Sequence, residues 1–290
     1  TFYRKCMYCF CKYIYYNLQT SEFRNFIDSI AFGTTGQPNM KNNYLLTFKI
    51  EDISIEKQNK LVNIVDKLDK KIELNNQINN NLQELSLVLY KKWFNQLDEG
   101  NITTLSQFDK FGKVVMGQSP KGESYNYNKN GIPLINGAAD YENGTLKAQK
   151  YTTMPTKICD KGDLIFCIRA TIGLLTICDK KYCLGRGVAG ITNIDEVYKE
   201  YIYHLMNSYI ESFKSLATGS VIVGISRNDI QDIKVRVPSL EQIQKFHKVQ
   251  KPIFKKLEWI IQENKTLNQL RCTLLPKLMK GEINLDKIEI

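Results

Sequence analysis

The chain contains two copies of one segment, which align without a gap for about forty positions. The first copy begins at Ser54 and the second begins at Ser239, 185 residues further along the chain. In both copies apolar residues recur at alternating three- and four-residue steps, which is the spacing of a long helix that packs along another helix. Because helices of this length depend on packing for their stability, we predict that the two copies form an antiparallel coiled coil.

The apolar positions of this pattern are predicted to form the seam between the two helices or to dock a partner protein. In the first copy they are Leu61, Leu68, Ile72, Leu82 and Leu89, and in the second copy they are Ile253, Leu257, Leu267 and Leu274. Asn79 and Asn264 occupy equivalent positions, and a buried asparagine can fix the register of paired helices. The alternative is that the asparagine-rich run 75–81 faces water. We favour this alternative, because so many polar residues are rarely buried together.

The ends of the two helices carry the expected signals. Ser54 and Ser239 precede the apolar pattern and suit helix N-caps, and each is followed two positions later by a glutamate that the helix dipole favours. Gly100 and Gly281 stand where the helices could stop. Pro252 lies inside the second copy, where a missing backbone donor should kink or break the helix near residue 248.

The repeat also extends upstream of both helices. Thr34-Thr35-Gly36 and Ala217-Thr218-Gly219 each stand about twenty residues before a long helix. Each helix is therefore predicted to follow a similar globular domain, and the fold class is α+β, with α/β domains alternating with two long helices. The predicted divisions are a domain remnant over 1–54, helices over 55–99 and 239–282, a complete domain over 101–238 and a tail over 283–290.

Composition limits the function classes. The net charge of +10 suits a polyanion such as DNA, and a solvated basic surface explains it equally well. No run of about eighteen apolar residues is present, so no membrane span is predicted. Cys6, Cys9 and Cys11 have no fourth ligand nearby, so no metal site is predicted. The eight cysteines are better explained as the thiols of a reduced, cytoplasmic protein.

Several short stretches, in their order and spacing, resemble those of the specificity subunits of type I restriction–modification systems. They are Gly117–Pro120, Gly131–Gly137, Lys161–Ile165 with Arg169, Gly185–Gly190, Thr218–Ser220, Ile225–Ile230 and Leu274–Ile283. The resemblance covers essentially the whole chain. It implies two target-recognition domains that alternate with two long helices, the first domain lacking its beginning. The ungapped repeat adds the hypothesis that the helices set the spacer between two half-sites of a bipartite DNA target.

The glycine-rich loops of 101–238 carry the candidate DNA-binding side chains. They are Lys113, Gln118, Ser119, Lys121, Asn136, Arg169, Arg186, Ser220, Ser226, Arg227 and Asn228. Arginine can read guanine, asparagine and glutamine can read adenine, and lysine or arginine can bind phosphate. Each of these residues could instead be a turn-forming or surface residue. Arg186 could also form an internal salt bridge that holds a strand.

No catalytic site or cofactor is predicted for this chain. It contains neither a glycine-rich cofactor loop with an adenine-methyltransferase tetrad nor a phosphate-binding loop of ATPases. The resemblance implies that methyltransferase subunits use S-adenosylmethionine, that restriction subunits use ATP and Mg²⁺, and that the helices dock the methyltransferases. The expected partners are double-stranded DNA and these subunits, and a truncated reader could pair with itself. The alternatives are a coiled-coil scaffold that binds proteins and a stand-alone nuclease.

Overall fold

The computed structural model describes residues 2–30, 42–94, 102–142, 144–216 and 224–284. The chain divides into a first unit, formed by Thr1–Leu82 and Lys256–Ile290, and a second unit, formed by Gln83–Lys255. The helices are α1 Phe2–Asn17, α2 Ser21–Ile30, α3 Asn42–Leu45, α4 Ile55–Phe94, α5 Lys199–Leu216, α6 Arg227–Gln231 and α7 Leu240–Met279. The α+β fold class is confirmed, and α4 and α7 are the two long helices that the repeat predicts. Among the described helices, none combines the length and the apolar content that a membrane span requires.

Both long helices begin where the sequence indicates. The backbone N–H of Lys57 donates to Ser54 Oγ at 3.4 Å, and that of Gln242 donates to Ser239 Oγ at 3.2 Å, so both serines are N-caps. At the other end of α7, Gly281 has a φ of 65°, and the N–H of Glu282 donates to the carbonyl of Lys277 at 2.9 Å. This closes the helix as a Schellman motif. Gly100 lies outside the described residues, as do positions 95–99 of the predicted first helix.

The break predicted near residue 248 is wrong, because α7 runs as one helix through Pro252, whereas a kink there stays a prediction. Pro252 and Lys248 both lie on the exposed side of the helix, so water can satisfy the backbone carbonyl that the proline leaves without a donor. On the opposite side, Ile243, Phe246 and Gln250 are buried. Their packing stabilises the helix against the cost of the lost hydrogen bond.

In the first unit, segments of α4 and α7 lie side by side and antiparallel. Leu61 shares an apolar core with Leu275 and Leu278, whereas Asn75, further along α4, contacts the earlier residue Asn264 of α7. Of the predicted seam residues, Leu61 is buried. The others, Leu68, Ile72, Leu82, Leu89, Ile253, Leu257, Leu267 and Leu274, are half-buried. A coiled coil along the whole helix pair stays a prediction.

The asparagine-rich run does not simply face water, so that interpretation is wrong for Asn75. Its side chain is buried, and Nδ2 donates to Glu263 Oε2 at 2.7 Å and to Asn264 Oδ1 at 2.8 Å. Asn264 in turn donates to Asn76 Oδ1 at 2.8 Å. The side-chain oxygen of Asn79 is buried and has no hydrogen-bond partner among the described residues. A polar contact therefore fixes this level of the helix pair, through Asn75 rather than Asn79.

The described part of residues 1–54 contains helices α1, α2 and α3 and a non-helical segment over 48–54, and one of its contacts has a counterpart in the second unit. In the first unit the hydroxyl of Tyr13 in α1 donates to the carbonyl of Glu51 at 2.8 Å. In the second unit the hydroxyl of Tyr201 in α5 donates to the carbonyl of Arg236 at 2.8 Å. Glu51 and Arg236 are separated by the same 185 residues as the two helix copies. The tripeptide Tyr-Ile-Tyr, at 13–15 and 201–203, is the sequence signal of this equivalence and lies upstream of the repeat segments described above.

The second unit contains thirteen described strands in two main sheets and two strand pairs. The strands are β1 Ile102–Thr104, β2 Lys113–Met116, β3 Tyr125–Asn126, β4 Ile132–Ile135, β5 Tyr141–Glu142, β6 Thr145–Leu146, β7 Lys150–Thr152, β8 Ile158–Cys159, β9 Leu164–Cys167, β10 Leu175–Ile177, β11 Tyr182–Leu184, β12 Val188–Thr192 and β13 Lys234–Arg236. One sheet has the order β10-β9-β12-β2 and the other the order β3-β7-β4-β11-β8, while β1 pairs with β13 and β5 with β6.

The core of the second unit joins these sheets to helices. One apolar cluster combines Phe166 and Ile191 of the four-stranded sheet with Ile202 of α5 and Phe246 of α7. A second cluster lies between the sheets and includes Ile135 and Leu184. A 3₁₀ turn, Glu196–Tyr198, leads directly into α5. The four-stranded sheet thus packs against helices on one face and against the five-stranded sheet on the other. The loops at the ends of the sheets are therefore placed by rigid strands.

Candidate nucleic-acid interface

Loops from the five-stranded sheet meet at one end of that sheet. β4 and β11 are parallel, with Leu184 opposite Ile135, so the residues that follow each strand emerge together. These residues are Asn136 and the loop Gly185-Arg186-Gly187. β8 is antiparallel to β11, and the N–H of Leu184 donates to the carbonyl of Lys157 at 2.8 Å, so Lys157 lies at the same end.

The four-stranded sheet delivers further side chains to the same loop. Both β2 and β9 run antiparallel to β12, so their last residues lie beside the first residues of β12. The N–H of Gly117 donates to the carbonyl of Val188 at 3.0 Å, and the N–H of Ile168 donates to that of Gly187 at 2.9 Å. Gln118 and Arg169, the next residues on each strand, therefore join Arg186. A hydrogen bond from Ile225 N–H to the Ile168 carbonyl, at 3.0 Å, adds the segment that contains Arg227.

These side chains line a cleft of about 590 Å³ in the second unit. Its lining is Met116, Gly117, Gln118, Lys157, Ile168, Arg169, Arg186, Gly224, Ile225, Ser226 and Arg227. Four of these residues are cationic and none is acidic. A neighbouring cleft of about 420 Å³ shares Lys157 and Arg227 and adds Lys113. Such a concentration of positive charge without compensating carboxylates attracts a polyanion.

Arg186 occupies the loop between the two sheets, and its side chain is exposed. Its Nε donates to Ser119 Oγ at 3.2 Å. Within the described residues no carboxylate lies within ion-pair distance of Arg186, so the alternative of an internal salt bridge is not found. Lys157, Arg169 and Arg227 are also exposed and make no ion pair in the described part of the chain. Their charges are therefore available to a ligand.

The other predicted DNA-binding residues have different surroundings. Asn136 lies against the Gly185–Gly187 loop, and its backbone N–H donates to Asp140 Oδ2 at 2.7 Å. Ser226 is the N-cap of α6 and accepts from the N–H of Asp229 at 3.2 Å. Asn228 and Lys121 are exposed outside the cleft lining, and Ser220 lies outside the described residues. The structure thus gathers Gln118, Arg169, Arg186, Ser226 and Arg227 in one cleft and places Lys113 beside it.

Lys157 is a cleft residue that was not predicted from the sequence. No motif surrounds this residue, which follows a threonine and precedes the short strand β8. Only the antiparallel pairing of β8 with β11 brings it to the cleft. The residue after Arg169, Ala170, has a φ of 57°, a left-handed conformation that is unusual without glycine. The turn that presents Arg169 is therefore held in an uncommon backbone geometry, as is frequent at binding sites.

The chain is similar to several known proteins. Residues 104–272 match the family described as type I restriction modification DNA specificity domain. A Methanocaldococcus jannaschii protein, named as the MjaX specificity subunit of a type I restriction enzyme, is 26% identical over 287 residues, with 93% of this chain and 68% of that protein covered. The type I restriction enzyme HindI specificity subunit of Haemophilus influenzae is 24% identical over 348 residues, with 91% and 75% covered.

One solved structure shares the fold. The S subunit of a type I restriction–modification system from M. genitalium superposes with a TM-score of 0.61 at 19% sequence identity. The superposition covers 92% of this chain and 72% of that one. This likeness shows that the two chains share a fold.

Proposed function

Because this chain belongs to the family of type I restriction–modification specificity subunits, we propose that it reads one half of a bipartite DNA target through the basic cleft and docks methyltransferase subunits through its long helices. Specificity subunits carry no catalysis of their own, so the chain is not an enzyme. The observation that carries the DNA-binding proposal is the cleft itself, where Lys157, Arg169, Arg186 and Arg227 converge without an acidic residue in the lining.

Different side chains of the cleft can bind the phosphates and the base edges of DNA. Lysine and arginine side chains at the rim can neutralise phosphates, which fixes the position of the protein on the duplex. Lys157 and Arg227 line both neighbouring clefts, so they are placed to follow a DNA backbone from one to the other. Gln118 offers a side chain that can pair with adenine. The chemistry is left to partner subunits, with S-adenosylmethionine on the methyltransferases and ATP and Mg²⁺ on the restriction subunits.

We further propose that residues 1–54 are the end of a first recognition domain. The matching hydrogen bonds of Tyr13 and Tyr201 support this, because both join a domain helix to the segment that precedes a long helix. In the same unit, Arg271 of α7 donates to Asp69 Oδ1 at 2.6 Å, and the hydroxyl of Tyr16 donates to Asp69 Oδ2 at 3.1 Å. Tyr16 therefore joins the domain remnant to α4 through Asp69, and the same carboxylate joins α4 to α7.

The phosphate contacts can be tested by removing one charge at a time. We expect Lys157→Gln and Arg227→Gln, each assembled with its methyltransferase partners, to weaken binding to specific and non-specific duplexes alike. Each variant should also reduce the slope of log K against log[salt] by about one. The measurement is a mobility shift or fluorescence titration over a range of salt concentrations.

The matched control is Lys181→Gln. Lys181 is an exposed lysine that precedes β11, at the end of the sheet opposite the cleft, where it pairs with Asp160 at 3.1 Å. Its removal should leave the salt slope unchanged. Binding that is independent of salt would contradict the DNA-binding proposal and favour a protein scaffold.

The docking surface is indicated by exposed apolar side chains at equivalent positions of the repeat. Leu74 of α4 is 55% exposed and Trp259 of α7 is 51% exposed, and the two are related by the offset of the repeat. The next such pair, Leu85 and Leu270, is also exposed. A single exposed apolar residue is ordinary, but its recurrence at the same repeat positions fits two copies of one partner. These positions lie outside the seam residues that the sequence predicted for docking.

We expect Leu74→Gln and Trp259→Gln each to weaken the docking of one methyltransferase copy, because each removes a large apolar contact from one of two equivalent surfaces. Native mass spectrometry of the reconstituted complex should then show a species with a single methyltransferase. The controls are Gln77→Ala and Gln262→Ala, exposed polar positions related by the same offset. Full stoichiometry in all four variants would place the docking surface elsewhere.

A further inference from the structure

We propose that Arg186 is a pre-oriented reader of guanine in the DNA target and that Ser119 is its positioning residue. This inference rests on the proposed function and deepens it, because it assigns one base contact within the cleft. It depends on two features: the rigidity of the loop that carries Arg186 and the single hydrogen bond that orients its guanidinium group.

The backbone of the loop Gly185-Arg186-Gly187 is fixed to both sheets. The N–H of Gly185 donates to the carbonyl of Ile135 at 2.8 Å, and the carbonyl of Gly187 accepts from Ile168 at 2.9 Å. The Cα atoms of both glycines lie so close to Asn136 that an added Cβ would collide with it. Arg186 is therefore the side chain that this packed loop projects into the cleft.

The guanidinium group of Arg186 is held by a neutral partner. Ser119 Oγ accepts from Nε at 3.2 Å, which restrains the side chain without cancelling its charge. The segment that carries Ser119 is itself anchored, since the N–H of Gln118 donates to the Leu184 carbonyl at 2.9 Å, and the hydroxyl of Thr156 donates to the carbonyl of Gln118. The two terminal nitrogens of Arg186 make no hydrogen bond within the described residues. They present parallel N–H donors to the cleft.

Guanine is the base that matches this donor pair. Its O6 and N7 atoms offer two adjacent acceptors in the major groove, whereas adenine presents a donor at N6 beside its N7 acceptor. An oriented guanidinium can bind both guanine acceptors at once, and a lysine ammonium cannot reproduce that fork. Phosphate would also accept from arginine, but a phosphate contact does not require a side chain held in one orientation. The rigid support of Arg186 therefore favours a base contact.

The test compares base preference, rather than affinity alone, in the complex with the methyltransferase subunits. Binding would be measured on a library of duplexes in which each position of the half-site is varied. We expect Arg186→Gln to reduce the preference for guanine at one position by about 10- to 100-fold while preferences at other positions persist. Arg186→Lys should keep the salt dependence of binding but lose most of the same preference. Ser119→Ala should reduce the preference for guanine less than Arg186→Gln does. Ser119→Thr, which keeps a hydroxyl at this position, should retain the preference.

The outcomes separate this inference from the proposed function. If the unaltered complex shows no sequence preference, the proposed function fails. If it shows a preference but Arg186→Gln weakens all sequences equally, Arg186 contacts phosphate and this inference is overturned alone. The inference is also overturned if Arg186→Gln changes neither the affinity nor the base preference. Because Arg186 is exposed and has no ion pair in the described part of the chain, its replacement should leave the unfolding transition unchanged, which can be measured on the same samples.

Discussion

Replacing Ser86 by alanine is expected to lower the free energy of unfolding of the second unit by about 2–4 kcal/mol. Ser86 of α4, His204 of α5 and Gln250 of α7 form a buried polar cluster that joins three helices. Gln250 Nε2 donates to the carbonyl of Ser86 at 3.0 Å, which turns its Oε1 towards the Ser86 hydroxyl, 2.6 Å away. The hydroxyl therefore donates to Gln250 and accepts from His204 Nε2–H, at 2.7 Å. Alanine would leave two buried polar groups without partners.

The imidazole of His204 is neutral and confined, so its N–H has no alternative acceptor when the Ser86 hydroxyl is removed. Burial lowers the pKa of His204 to about 4, so the imidazole stays neutral near neutral pH. Its Nδ1 is buried and has no hydrogen-bond partner among the described residues, and the ring stacks on Tyr90 with 5.1 Å between centroids. The ring is thus confined, and Ser86 is the partner that satisfies its N–H. This is why the substitution should cost more than a typical surface change.

The measurement is urea unfolding of the full chain, combined with hydrogen exchange of the α5 amides to locate the loss in the second unit. The control is Ser215→Ala, an exposed serine of α5 whose hydroxyl bonds to the carbonyl of Glu211 at 3.0 Å. That substitution should change stability by less than about 0.5 kcal/mol. Equal stabilities for the two variants would show that the Ser86 cluster contributes nothing to the joining of the helices.

The long helices could be predicted from the sequence because their signals are local. Apolar spacing, the serine N-caps at Ser54 and Ser239 and the glycine stop at Gly281 each act within a few residues of the chain. The buried polar positions could not be found in this way. Ser86 and Gln250 are buried because a third helix, α5, covers them, and apolar periodicity along one helix carries no signal of a third element. The seam prediction therefore named apolar residues, most of which are only half-buried.

The candidate site also has some features that local sequence signals predict and others that depend on the tertiary fold. The glycine-rich loops marked the residues Gln118, Arg169 and Arg186 as candidates, since turns with polar tips are visible in a single sequence. Which of them share a cleft depends on strand order, because β4 and β11 are parallel and distant in sequence. Lys157 could be identified as a DNA-binding candidate only from the strand order, which places β8 beside β11. Asn136 and Ser226 were chosen for their side-chain chemistry, but in the structure they also support the loop and cap α6.

Substituting Gly117 by alanine is expected to destabilise the second unit by about 3 kcal/mol and to remove sequence-specific binding. A Cβ at this position would collide with the backbone carbonyl of Gly185 and lie 2.6 Å from that of Val188. Neither carbonyl can move freely, because the carbonyl of Val188 accepts from Gly117 N–H at 3.0 Å and the carbonyl of Gly185 accepts from Val188 N–H at 3.2 Å. Relief of the collision must displace the loop that carries Arg186.

Gly122→Ala is the matched control for this substitution, because no atom lies within 4 Å of a Cβ added there. A glycine-to-alanine change in open space reduces the freedom of the unfolded chain, so this variant should be as stable as the original protein or slightly more stable. Unfolding and DNA binding would be measured for both variants. A folded Gly117→Ala protein with weakened specificity would show that close packing of the two sheets places the reading loop. If both variants bind DNA with unchanged base preference, the position of the loop does not depend on that packing.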